Sequence, residues 1–167
     1  MSWRATRLAV LGLAASIVLT SAATVQAAPT ADSTCYNYSG GERKLARRIN
    51  RSRSRHDLRK YSLDPELSRA ATVHSKVMAR RNTVFHTNDL GSKITRWSLL
   101  GEAVALGRTI KGIHKRLMAS PVHRVLLLHG SFEDFGVGIK RKKGRRWTTI
   151  IFSAGRDPGT TFKMPDC

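Results

Sequence analysis

Hydrophobic residues change their spacing along this chain, and each spacing predicts a different element. From Glu42, Leu45, Ile49 and Ser52 share one helical face, with Arg43, Lys44, Arg47, Arg48 and Arg51 around the remainder. Residues 61–63 make a short connection to Asp64-Pro65-Glu66, where a capping carboxylate, a first-turn proline and an acid start a second helix. The apolar stripe of that helix is Leu67, Ala70, Ala71, His74 and Met78, and it ends near Arg81-Asn82. Residues 87–91 form a turn-rich loop, residues 93–99 are irregular or a single turn anchored by Trp97, and Glu102 begins a short Ala/Val segment. Thr109 caps a third helix to about Met118, which buries Ile110, Ile113 and Leu117 and leaves His114 on an exposed flank. Ser120-Pro121 repeats the cap-and-proline start for a short helix through His123 to Leu128. The period then falls to two: Phe135, Val137 and Ile139 alternate as in a half-buried strand, residues 141–145 make an exposed basic hairpin tip, and residues 147–153 are apolar enough for a central return strand.

The apolar run near the N-terminus has another cause. Arg4 and Arg7, the run over residues 8–19 and Val25-Gln26-Ala27 match a secretory leader over residues 1–27, cleaved after Ala27. The run is short for a bilayer span, so the mature chain is expected to be secreted, without a transmembrane segment. Losing the leader removes only Arg4 and Arg7 from a formal charge of +19, so the mature chain stays strongly basic. Such a surface attracts polyanions or lipid headgroups, through the helix residues Arg47, Arg48 and Arg51 and the hairpin residues Arg141, Lys142, Lys143 and Arg145. Cys35 and Cys167 are the two cysteines, and export permits one disulfide between them. It would tie the polar lead-in of residues 28–41 to the tail of residues 156–167, worth up to about 4–5 kcal/mol in the chain-entropy model.

Candidate chemistry falls at His86, Glu102 and His123, each beside a Gly, a Pro or an aromatic residue. A carboxylate beside two imidazoles orients a tautomer, holds a cation or relays protons. His74 lies on an apolar stripe and reads as a core histidine donating to a backbone carbonyl. Ser120 with His123 and Glu102 is the one triad the residues allow, but Ser120 lacks a nucleophile elbow and is more simply a helix cap.

Taken in order, these stretches resemble one family. Ile49-Asn50, Leu63-Asp64-Pro65-Glu66-Leu67, Ala70-Ala71 through His74 to Met78-Ala79, Phe85-His86-Thr87, Gly101-Glu102, Ser120-Pro121-Val122-His123-Arg124 and Phe135-Gly136-Val137-Gly138 are similar to the CAP superfamily of SCP/PR-1-like secreted domains, in its short bacterial form. The resemblance implies an α+β fold over residues 42–155: a three-layer α-β-α sandwich around a small antiparallel sheet. It also implies a central cavity where His86, Glu102 and His123 meet. Leu117 and Ser120 stand where larger members carry a second glutamate, and Ala103 stands where the family has Asn.

Three accounts of His86, Glu102 and His123 follow: a divalent cation site such as zinc, a hydrolytic triad with Ser120, or a hydrogen-bonded polar network without turnover. The network is the favoured expectation, because one carboxylate and two neutral imidazoles in a positive field hold zinc only modestly. The chain is accordingly expected to be a monomeric, non-enzymatic extracellular binding domain requiring no cofactor, with a basic surface for anionic polymers or lipids. A metal-assisted or Ser/His/Glu hydrolase is the alternative. An exported nucleic-acid binder comes third, since no aromatic residues interleave with the basic ones.

Overall fold

A computed structural model describes residues 36–155. The expected leader, both cysteines with their disulfide, and the C-terminal tail lie outside the described residues.

Helix α1 (Gly40–Ser54) starts with a capping box in which Ser39 accepts from the Glu42 amide and Glu42 accepts from the Ser39 amide. Leu45, Ala46, Ile49 and Ser52 form its buried face, as the spacing predicts. Strand β1 (Ser62–Leu63) leads into α2 (Pro65–Arg81), which Asp64 caps by accepting from the Leu67 amide at 2.8 Å. Asn82 ends α2 in the left-handed region. A 3-10 turn over Leu90–Lys93 precedes β2 (Leu99–Gly107), α3 (Ile110–Ala119), α4 (Pro121–Leu127), β3 (Asp134–Lys142) and β4 (Arg145–Ala154).

The sheet order is β1-β3-β4-β2. β3, β4 and β2 are antiparallel neighbours, while the two residues of β1 pair in parallel with β3, so the sheet is antiparallel except at that edge. Helix α2 covers one face, where Met78 and Ala79 meet Val104 and Trp147, and Leu67 and Ala71 meet Ile151. Helices α1, α3 and α4 cover the other, over Phe135, Val137, Ile150 and Phe152. This is the three-layer α-β-α arrangement, with the larger core on the three-helix side.

Three local expectations change. β3 is buried on both faces over Asp134–Gly138 rather than half-buried. Gly136 and Gly138 are the reason: a Cβ on either would run into the backbone of α2 at Leu67-Ser68 or Ala71-Thr72, so the helix lies directly on the strand. Glu102 does not begin the Ala/Val segment; it lies inside the nine-residue strand β2, which starts at Leu99 and pairs along its length with β4. His114 is half-buried, its Nε2 3.0 Å from Ser52 Oγ of α1. Trp97 is largely exposed and anchors the 3-10 turn, donating to Gly91 O at 3.2 Å.

Candidate functional site

Strand alternation decides where Glu102 points. Ala103 faces the three-helix core and Val104 faces α2, so Glu102 shares the α2 side of edge strand β2. The loop after α2 closes over it. His86 Nδ1–H donates to Glu102 Oε1 at 2.7 Å, the Thr87 amide donates to the same oxygen at 2.8 Å, and Thr87 Oγ1 donates to Oε2. The carboxylate side chain is 6% exposed while the His86 side chain is 63% exposed. Glu102 is therefore a buried acceptor that holds the loop, and it fixes His86 in the tautomer whose Nε2 accepts.

His74 supports the same loop from beneath. Its Nε2–H donates to Phe85 O at 2.7 Å and its ring packs edge-on to Phe85, which makes it the core histidine its apolar stripe predicts. An apolar groove of about 490 Å³ runs between α2 and this loop, along Val73, Val77, Phe85 and Leu90.

His123 approaches from the other layer, on the first turn of α4, which packs Leu126 close to Gly101 of β2. Ser120 occupies the N-cap position of α4, but its hydroxyl makes no cap hydrogen bond; it lies 3.0 Å from His123 Nδ1. Burial holds the pKa of His123 below its ordinary value, and the neighbouring His86 lowers it further. The two imidazoles are thus within electrostatic reach. The four candidates form two hydrogen-bonded pairs, Glu102–His86 and Ser120–His123, and not the Ser-His-Glu chain of a triad.

A residue that no sequence pattern marks braces the C-terminal end of α4. Arg53 is buried at the C-terminal end of α1, with its guanidinium 3.4 Å from the Tyr61 ring centroid. It donates to Arg59 O at 2.7 Å, Leu127 O at 3.1 Å and His129 O at 3.0 Å, closing the carbonyl end of α4. Burial lowers its pKa, opposed by the Tyr61 ring and hydroxyl.

The expected anion-binding residues divide. Arg47, Arg51, Arg141, Lys143 and Arg145 are exposed, and Arg48 is half-buried. Lys142 is committed instead: its ammonium donates to Ala79 O at 2.6 Å and Arg80 O at 3.3 Å, closing the C-terminus of α2. A second basic group was not foreseen. Arg108, Lys115 and Arg116 join Arg145 around a cleft of about 730 Å³ between the end of β2, the start of α3 and the start of β4. Pairing of Gly107 with Arg146 across β2 and β4 brings them together, a register not visible from spacing alone.

Acids are placed in the opposite way. Glu42, Asp64 and Asp134 are buried, Glu66 accepts from the Thr95 amide at 2.8 Å, and Glu133 pairs with Arg59 at 3.5 Å. Among the described residues, Asp57 and Asp89 are the carboxylates in exposed positions.

Comparison with known proteins agrees with this fold. An outer surface protein from Borrelia burgdorferi superposes with a TM-score of 0.66 at 16% identity, covering 72% of this chain and 97% of that one. An extracellular protein containing an SCP domain from Bacillus anthracis gives 0.60 at 27% identity over 69% of this chain and 40% of that one, so the present chain spans less than half of its length. NaASP2, whose structure was determined with Zn2+, gives 0.56 at 11% identity over 74% of this chain and 88% of that one. No curated protein sequence matches the chain. The model of the cysteine-rich secretory protein family, CAP, matches residues 46–152, and the chain belongs to that family.

Proposed function

We propose that this chain is an exported, non-enzymatic binding domain whose basic exterior holds anionic envelope polymers or lipid headgroups. The observation that carries the reading is the division of charge: among the described residues most carboxylates serve as caps and clamps, with Asp57 and Asp89 exposed, while most cations of α1, α3 and the β3–β4 hairpin face solvent. That leaves a surface more positive than the net charge alone requires. The leader pattern over residues 1–27 and the extracellular Bacillus anthracis relative support export. No helix among the described residues is long and apolar enough to cross a membrane.

On this reading Glu102, His86 and Thr87 pin the loop beside edge strand β2, and the Ser120–His123 pair lies within electrostatic reach of His86 without turnover. A zinc ion, as present in the NaASP2 structure, would find a poor donor set here. Both Glu102 oxygens already accept hydrogen bonds, and among the described residues no three His, Cys, Asp or Glu side chains gather as ligands. The second reading, a hydrolase, rests on the 3.0 Å Ser120–His123 contact, a nucleophile–base distance. It lacks an acid behind His123, because Glu102 serves His86. Nucleic-acid binding has only the charge in its favour.

The test is retention of the mature chain on an immobilised anionic polymer as salt rises. Retention at physiological salt, where the Debye length is about 8 Å, that falls steeply at higher salt and survives His86→Ala and Ser120→Ala is the expected result. Retention that ignores salt refutes the proposal. Ester or peptide hydrolysis abolished by Ser120→Ala replaces it with the hydrolase reading.

A further inference from the structure

Resting on that reading, we propose that the cleft between β2, α3 and β4 is the polyanion site, and that it takes tetrahedral oxyanion esters carried on a flexible chain without bases. Arg108, Lys115, Arg116 and Arg145 line one concavity, and among the described residues no carboxylate lines it with them. Arg146 donates to the Arg108 carbonyl, so a fifth cation stands behind the first four. Arg116 donates to Leu106 O, which braces its guanidinium at the cleft wall. Like charges held this close repel one another, and an anion that answers several of them offsets that cost.

The α3 end adds to the same field. Thr109 and Gly112, the cap and the first turn of α3, lie in the cleft wall, and that turn carries no acid, whereas α1 has Glu42 and α2 has Glu66 there. The guanidinium forks of Arg108 and Arg145, beside the braced Arg116, match the oxygens of phosphate or sulfate esters better than ammonium groups alone would. The α1 arginines continue the positive surface around the opposite flank of α3, where Ser52 meets His114. A chain leaving the cleft on that side stays in a favourable potential.

The lining also selects the partner. Among the described residues it is Leu106, Gly107, Thr109, Gly112 and Ala119 besides the four cations, with no aromatic ring on which a base would stack. The exposed large hydrophobic residues are Val73, Val84, Trp97, Leu99, Val122 and Val125, and none lines the cleft, so nothing there would enter a bilayer. A polyol phosphate or a sulfated glycan fits; nucleic acid and membrane do not.

The experiment compares the mature chain with two triple variants of equal charge. Arg108→Gln, Lys115→Gln and Arg145→Gln empty the cleft while leaving the Arg116 brace; Lys44→Gln, Arg47→Gln and Arg51→Gln empty the outer face of α1. Each is checked for folding by circular dichroism, then titrated with poly(glycerol phosphate), dextran sulfate, oligothymidine and phosphatidylglycerol vesicles across a salt series. The cleft variant is expected to lose about tenfold or more in affinity for the phosphate or sulfate polymer, with its log–log salt slope shallower by up to about 2, from at most roughly 0.7 per lost contact. The α1 variant should lose no more than about threefold, because it changes only the surrounding potential. Whichever polymer binds more tightly names the ester. Equal losses in the two variants overturn the cleft and leave the broader polyanion reading standing. Wild-type binding to neither polymer overturns both. Oligothymidine or vesicles bound more tightly than either polymer overturn the choice of partner.

Discussion

Replacing Arg53 by Met tests whether one buried guanidinium holds α4, and with it Ser120 and His123, in place. Methionine fills most of the volume but donates nothing. Arg59 O and Leu127 O would lose the contacts Arg53 makes, whereas His129 O keeps the Tyr61 hydroxyl at 2.9 Å. Stranding the buried Leu127 O costs about 1–3 kcal/mol, while Arg59 O, on an exposed residue, can turn to water at less cost. Losing the guanidinium from the Tyr61 ring costs about 1–2 kcal/mol more. Against this stands relief of the desolvation that lowers the Arg53 pKa, so a net loss of about 3 kcal/mol is expected. Urea denaturation at pH 7 reads it: with m near 2 kcal/mol/M the midpoint should fall by about 1.5 M. Arg53→Lys keeps the charge but not the fork and should fall in between. Amide exchange in α4 should accelerate in parallel if Arg53 closes that helix. A loss below about 1 kcal/mol, or a lysine variant as stable as wild type, would refute the reasoning.

Gly136→Ala should cost at least about 3 kcal/mol by thermal or urea melting, because its Cβ would lie 2.5 Å from Leu67 Cβ and closer still to the α2 backbone, which cannot rotate away. Burial, then Arg48 and Arg55, hold the pKa of His114 below the ordinary 6.5, so its neutral form is favoured in the fold. Its contribution is complete above pH 6.5 and is lost as pH falls through the depressed folded-state value, and the wild-type minus His114→Gln difference in stability should track that window. Glu102→Gln should destabilise by about 2–3 kcal/mol, Thr87→Val by about 1 kcal/mol and His86→Ala by less, since Glu102 is buried and His86 is not; a histidine variant worse than the glutamine one would mean that Glu102 serves His86 rather than the loop. Salt should raise the melting temperature as the Debye length shrinks from about 30 Å at 0.01 M to about 8 Å at 0.15 M, because the exposed charges are nearly all of one sign.

Helix starts were legible because each is a local event. Asp64-Pro65 and Thr109 announce caps through their own side chains, and the stripe from Leu67 to Met78 repeats on a single element. Strand burial was less legible because it depends on partners. Alternation at Phe135, Val137 and Ile139 describes one face of β3; the other carries Gly136 and Gly138, which look like breaks until α2 is laid on them. Ser120 failed as a cap for a related reason. Its position before Pro121 makes it the N-cap residue, but its hydroxyl is turned to His123 Nδ1 one turn on, and its oxygen accepts from no first-turn amide.

His86 bonds Glu102 and lies within electrostatic reach of His123, but sequence order says nothing about the layers from which they come. β2 is an edge strand with two faces, and Glu102 takes the α2 face while α4 brings His123 from the opposite layer. Glu102 can then bond directly to the loop on its own side, and His123 finds its partner on its own helix. Lys142 shows the same limit at the surface: it reads as one cation among several at the hairpin tip, yet its ammonium caps α2. Arg145 reads the same way, yet antiparallel pairing of β2 with β4 sets it beside Arg108, which lies far from it in sequence. Charge content was visible in the sequence, but which charges are committed inside the fold and which converge on a shared cleft follows from strand register.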